Sequence, residues 1–213
     1  MTISVIKGSD NVNYNLRDDV HTWGGRNLLK GSYNYQGWWI PSGFVTVSEN
    51  VATFAKRTSK SWQVIASPCI PASEAVGKDL TVSFEVRSDD ATDLNAESGY
   101  PAVQLMTKTS AGGPGGTNYL NRTHERTVFN GNVSTSWQRM SFTLKDINYS
   151  SWSKSGDSSH TTDDWLCVNI WLYQLNSVQF RNFKLEYGNK STDWSPAPED
   201  IAHVSGTELV LLS

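Results

Sequence analysis

Charge is scarce in this sequence. Lys, Arg, Asp and Glu make up 18% of its 213 residues, and the formal net charge is −3. No basic stripe is present to lie along a phosphate backbone, so nucleic acid is not an expected partner. No apolar run is long enough to span a bilayer, and the charge pattern gives no case for a membrane partner. The opening residues, Met1 to Gly8, lack the basic start and long apolar stretch of a signal peptide, so the chain as given is not expected to be marked for classical secretion. Cysteine is limited to Cys69 and Cys167, whose spacing fits no metal site. Without a secretion signal, two buried free thiols are expected rather than a disulfide. His21, His124, His160 and His203 are scattered on polar stretches with no metal-type spacing. A sustained helical period is missing throughout.

Aromatic residues are what the chain has in surplus, with 9 Trp and 8 Tyr beside 16 Gly. Trp is costly to bury without a partner for its indole N–H and is over-represented in binding surfaces, which favours a binding protein. The stretch 166–173 concentrates the signal. Its even positions, Leu166, Val168, Ile170 and Leu172, form one aliphatic face suited to a core. Its odd positions, Cys167, Asn169, Trp171 and Tyr173, put an amide, an indole and a phenol on the other face. Two readings fit that second face. It offers flat apolar surface plus an orienting hydrogen-bonding group, as a sugar-binding sheet needs. Alternatively, its residues pack under a loop or against a second sheet.

Residues 1–25 show little apolar periodicity and are expected to be a linker or N-terminal extension. An aromatic loop follows at 33–39, then short strand-like runs at 44–47, 51–55, 62–66, 80–87, 102–106, 137–144, 166–173 and 178–186. Glu49-Asn50 reads as the turn between the first two. Leu80, Val82, Phe84 and Val86 alternate inward, as do Met140, Phe142 and Leu144. Many short alternating strands with Gly and Ser turns predict an all-β fold, a two-sheet antiparallel sandwich or jelly roll. Three long loops, at 88–101, 110–126 and 145–164, exceed what hairpins require, and long loops of this kind tend to be functional or flexible. A chain of this length is expected to form one domain with tails, divided at 1–25, 26–200 and 201–213.

Several short motifs occur in a telling order: Asn27-Leu28-Leu29 with a following Gly-Ser, Gly37-Trp38, Leu80-Thr81-Val82-Ser83-Phe84, Ser136-Trp137-Gln138, and 178–186. Together they resemble the jelly-roll carbohydrate-binding modules attached to many xylanases and cellulases. Two pieces look more like the versions in phage tail proteins of Gram-positive hosts. These are Gly25-Arg26-Asn27-Leu28-Leu29 and the closing sequence 184–200, which runs through Trp194-Ser195-Pro196-Ala197-Pro198. The resemblance spans about 25–200 and implies a non-catalytic jelly roll that binds saccharide on a concave sheet or at loop tips. It further implies a component of the virion tail or baseplate, partnered by other tail proteins, that recognises cell-wall saccharide at the outer surface of the host. The resemblance also makes Trp137 a core residue and gives Trp194 the closing of the sandwich bottom, with the prolines stopping further strand pairing. Modules of this type often hold a structural calcium through an Asp pair in the final strand. Here Arg181-Asn182 stands in that place, and an arginine cannot ligate calcium. No metal and no cofactor are therefore expected, although the acidic loop Asp89-Asp90 to Asp93 could still hold a metal elsewhere.

Other chemistries are less well supported by the residues. Glu85 and Asp163-Asp164 are candidate carboxylates, but Asp163-Asp164 is more simply a turn before a strand. No nucleophile elbow or phosphate loop occurs, so no enzyme activity is expected. A structural spacer or oligomerisation domain of the tail would share the fold without needing the aromatic face. The residues expected to bind ligand are Trp171, Asn169 and Tyr173 on the strand and Gln104, Glu85 and Arg87 on neighbouring strands. Trp152 and Tyr119 would close over the ligand from the long loops.

Overall fold

Strands β3 (Val45–Ser48) and β4 (Val51–Phe54) form a hairpin whose turn residues Glu49 and Asn50 both take positive φ, 45° and 67°. This is the mirror-image turn whose twist matches that of the strands it joins. The hairpin is the edge of a five-stranded antiparallel sheet ordered β11-β7-β13-β4-β3, completed by β7 (Leu80–Ser88), β11 (Gln138–Leu144) and β13 (Val178–Tyr187). The second sheet is built on β12 (Trp165–Tyr173). It is flanked on one side by β5 (Trp62–Ala66) and β6 (Ile70–Pro71) and on the other by β9 (Val103–Lys108). Two small pairs are not hydrogen-bonded into either sheet: the hairpin of β1 (Ile3–Lys7) with β2 (Val12–Leu16), and β8 (Thr92–Asp93) with β10 (Asn132–Val133). The segment 1–25, read from its pattern as a linker or extension, thus contains a hairpin. The computed structural model describes residues 25–40, 43, 45–59, 62–90, 103–108, 132–145, 165–173 and 176–200, together with β1, β2 and β8.

From β7 onward the long strands β7, β9, β11, β12 and β13 alternate between the two sheets, which makes the antiparallel sandwich a jelly roll. The expected faces hold. Leu80, Val82, Phe84 and Val86 of β7 and Leu166, Val168, Ile170 and Leu172 of β12 are all buried in one core cluster, with Phe142 beside them and Met140 and Leu144 packed against it. In β13 the alternation breaks. Arg181 pairs with Glu85 and Lys184 with Ser83, so β13 carries one extra residue, and Asn182 takes φ 55° there. This bulge resets the parity, so that Phe180 and Phe183 both enter the core. Phe183 stacks on Phe84 at 5.5 Å and is tilted against Trp38 of the aromatic loop at 5.4 Å. Tyr35 of that loop is also core, its hydroxyl donating to Phe180 O at 3.0 Å.

Asn27 joins the start of the domain to its end. Its buried amide nitrogen reaches Ser32 Oγ, Phe183 O and Ser195 O at 2.9–3.0 Å, and its Oδ1 accepts from the N–H groups of Leu29 and Leu185. Arg26 pairs with Glu199, and the Asp200 carboxylate accepts from the N–H groups of Gly31 and Ser32. Trp194 is half-buried at this closure, its indole donating to Phe183 O at 3.1 Å and its ring stacked with Tyr33. Gly31 must be glycine, because a Cβ there would stand 2.0 Å from Gln36 O.

Candidate functional site

Pairing decides which residues share the non-core face of the β12 sheet. Since positions 166, 168, 170 and 172 are core, the backbone positions of opposite parity are 167, 169, 171 and 173. Their register partners are Met106 for Cys167, Gln104 and Ala66 for Asn169, Val64 for Trp171, and Trp62 for Tyr173. Gln104 is therefore a register partner of Asn169. Trp62 was not among the expected site residues. Its strand was legible in the sequence, but its position opposite Tyr173 depends on a pairing across more than a hundred residues. Cys167 and Asn169 are wholly buried, and the Cys167 thiol donates to Asn169 Oδ1 at 3.5 Å. Asn169, expected to orient a ligand, is thus a buried amide on the non-core side of the strand. The side chains of Trp62, Trp171, Tyr173 and Gln104, and the loop residues Trp152 and Tyr119, lie outside the described residues.

Glu85 and Arg87, expected near this strand, belong to the other sheet. They sit on β7, on the outer face of the five-stranded sheet, where Arg139 of β11, Glu85 and Arg181 of β13 form one row. Arg181 Nε donates to Glu85 Oε2 at 2.7 Å, so this carboxylate is engaged by an arginine. In the next row Arg87 Nε donates to Gln179 Oε1 at 2.6 Å. Trp137 is corrected from core to this outer face. It is half-buried, with the guanidinium carbons of Arg181 and Arg87 lying 4.1 and 4.7 Å from its ring centre. The parity follows from the sequence itself, since Met140 and Phe142 face inward and an odd-numbered Trp137 must then face out.

Further along the same face, Lys184 and Glu186 are buried beneath the closing segment. Lys184 Nζ lies 3.5 Å from Glu186 Oε2 and donates to Thr192 Oγ1 and Asp193 O, while Glu186 accepts from the N–H and hydroxyl of Thr192. Burial holds the Lys184 ammonium below the usual lysine range, against the opposing pull of Glu186. Among the described residues no group of three His, Cys, Asp or Glu could hold a metal ion.

A third feature lies at the β3–β4 turn. Tyr33, Asn34, Val47, Ser48, Glu49 and Asn50 line an open groove of about 650 Å³. Tyr33 and Val47 are two of the three exposed large apolar side chains among the described residues. Asn50 is fixed at the groove by donating to Asn182 Oδ1 at 2.8 Å.

No protein-family model and no curated protein matches the sequence. Solved structures do resemble it. A CBM4 structure is 14% identical, with 81% of this chain and 99% of that chain covered and a TM-score of 0.43. The tripod from the baseplate of bacteriophage Tuc2009 is 13% identical, with 83% of this chain covered and a TM-score of 0.45, and the match spans 60% of the baseplate chain. A CBM22 xylan-binding domain from Paenibacillus barcinonensis is 11% identical, with 76% of this chain and 94% of that one covered and a TM-score of 0.40. The chain is similar to carbohydrate-binding modules and to a phage baseplate protein. At these identities and TM-scores the likeness assigns no ligand, so a functional reading rests on this chain's own residues.

Proposed function

We propose that the chain is a non-catalytic saccharide-binding module of a phage tail, binding host cell-wall saccharide on the non-core face of the β12 sheet. The observation that carries this reading is the pairing of β5 with β12. It sets Trp62 opposite Tyr173 and Val64 opposite Trp171 at adjoining positions of non-core parity. Aromatic residues grouped this way suit the C–H faces of sugar rings, which bind by apolar contact with a few polar groups fixing orientation. The buried Asn169 then supports the face from within, and the contact surface falls at the 171–173 end of the strand. Attachment to a tail is supported by the resemblance of the first and last segments of the domain to those of tail proteins, and by the way Asn27, Arg26 and Asp200 clasp those segments together.

The test pairs binding with stability. Labelled protein is expected to decorate Gram-positive cells whose wall polysaccharide is intact and to lose them once it is stripped. Trp171→Ala and Trp62→Ala are expected to abolish decoration with little change in melting temperature. Ile170→Ala, which empties a core position, should cost roughly 2–5 kcal/mol of stability. If both Trp variants decorate cells like the parent, the β12 face is not the site, and Tyr33→Ala then tests the groove at the β3–β4 turn. Absence of wall binding combined with stable self-association would support the spacer role instead.

A further inference from the structure

The outer face of the five-stranded sheet holds a cluster that the β12 site does not use. Arg87 and Arg181 both lie against the indole of Trp137, at 4.7 and 4.1 Å. Each is also fixed through its Nε, Arg87 on Gln179 and Arg181 on Glu85. Among the described residues, no hydrogen bond takes the Nη atoms of either arginine. The two guanidinium groups are thus held by ring and neighbour while their outer edges remain uncommitted. The outer edge is the part that grips a carboxylate or phosphate with two parallel N–H bonds. Arg139 stands in the same row as Glu85 and Arg181 and adds a third cation, its own Nη2 committed to Ser83 Oγ and Thr192 O. Lys184 and Glu186 offset one another under the closing segment. Among the described residues Glu85 is therefore the lone outward carboxylate set against three arginines on these rows, in a chain whose net charge is −3. A local excess of positive charge on an acidic protein marks a place where anions are favoured.

We infer that this cluster is an anion subsite for an acidic saccharide, with Arg87 and Arg181 taking a sugar carboxylate or phosphate and the exposed edge of Trp137 meeting the adjacent ring. The inference rests on the reading of the chain as a saccharide binder and adds a charged substituent to its ligand, at a site on the opposite sheet from β12. Pre-fixed guanidinium groups lose little freedom on binding, which is why the two Nε contacts matter to affinity and not only to the sheet.

Calorimetry with three probes tests it: trigalacturonate as the carboxylate arm, a glycerol-phosphate polymer as the phosphate arm, and neutral β-1,4-galactotriose as control. Each is run on the parent, on Trp171→Ala, and on Arg87→Gln and Arg181→Gln. At least one acidic probe is expected to bind with an affinity that falls with salt and drops tenfold or more in either Gln variant, while Trp171→Ala leaves that binding in place. Arg87→Lys and Arg181→Lys keep the charge but lose the two-pronged donor, and they are expected to lose most of the affinity too. Thermal melts check that each variant is folded. Acidic binding that is unchanged in the Lys variants, or no salt-sensitive binding by either acidic probe, overturns the subsite. Loss of neutral-sugar binding in Trp171→Ala with acidic binding intact would leave both readings standing. Neutral-sugar binding that survives Trp171→Ala would strike the β12 reading alone.

Discussion

Gln63 is a polar side chain in an apolar place, and replacing it should stabilise the protein. It is opposite Leu172 in the β5–β12 register, shares the core parity of Ile65, and is only 2% exposed. Neither its Nε2 nor its Oε1 has a hydrogen-bond partner among the described residues. A buried polar group left unsatisfied costs about 1–3 kcal/mol relative to its hydrated state, and this amide leaves both ends unmet. Gln63→Met keeps the length and flexibility of the side chain while removing both ends of the amide, so packing should be nearly conserved. The expected gain is roughly 1–3 kcal/mol after allowance for imperfect fit. For a domain of this size each kcal/mol moves the melting temperature by about 2–4 °C. Urea and thermal denaturation of the two proteins side by side measure it, with an unchanged urea slope showing that the denatured state has not shifted. A second variant, Gln63→Glu, should lose stability, because a carboxyl there must be buried charged or pay to stay protonated. If Gln63→Met is instead destabilised by more than about 1 kcal/mol, the amide is satisfied in solution and the argument from its orphaned atoms fails.

Lys184→Ala should cost about 3–5 kcal/mol in the same denaturation experiment, since it strands the buried Glu186 carboxylate without its cation. High pH should weaken the fold through tyrosine: burial, with the charge of Glu74 adding to it, pushes Tyr187 up to about 12, and burial also raises Tyr35. Because these folded-state values lie above the unfolded value of about 10, their contribution is complete below pH 10 and is lost as pH rises toward 12 and beyond. For Tyr187 this amounts to no more than about 2–3 kcal/mol, and Tyr187→Phe should flatten the decline when melts are recorded between pH 9 and 12. A chain trimmed to residues 25–200 is expected to keep one cooperative melt, because it retains Asn27, Arg26 and Asp200 with all the contacts described for them; a broad or biphasic transition would show that the removed ends carry part of the core.

The strands that show most clearly in the sequence are those whose aliphatic or aromatic residues recur at every second position. β7 and β12 announce their core sides because Leu80, Val82, Phe84 and Val86, like Leu166 to Leu172 at every second position, alternate without a break. β13 was readable as a strand but not as a face, since its bulge at Asn182 shifts the parity midway and puts Phe180 and Phe183 on the same side. β6, β8 and β10 have two residues each, too few to establish any period. The site was harder because sheet membership is a long-range property. Nothing local to Glu85 or Arg87 says that β7 pairs with β11 and β13 rather than with β12, and nothing local to Trp62 says that it faces Tyr173. The burial of Asn169 was out of reach for a related reason: alternation gives the direction of a side chain, not what lies above it. Trp137, by contrast, could have been placed outward by counting back from Met140.

The clasp around Asn27 has a mechanical consequence. A pull applied where the chain enters near residue 26 and leaves near residue 200 is met first by Arg26–Glu199, by Asp200 on the Gly31 and Ser32 amides, and by the Asn27 hydrogen bonds to Phe183 and Ser195. Tension then passes between the two ends of this segment across a few side chains, with only β13 of the sheets drawn in, through Phe183 and Leu185. Strung in a fibre, such a unit would behave as a short rigid link. Its strands would keep their register under load until the clasp itself gave way.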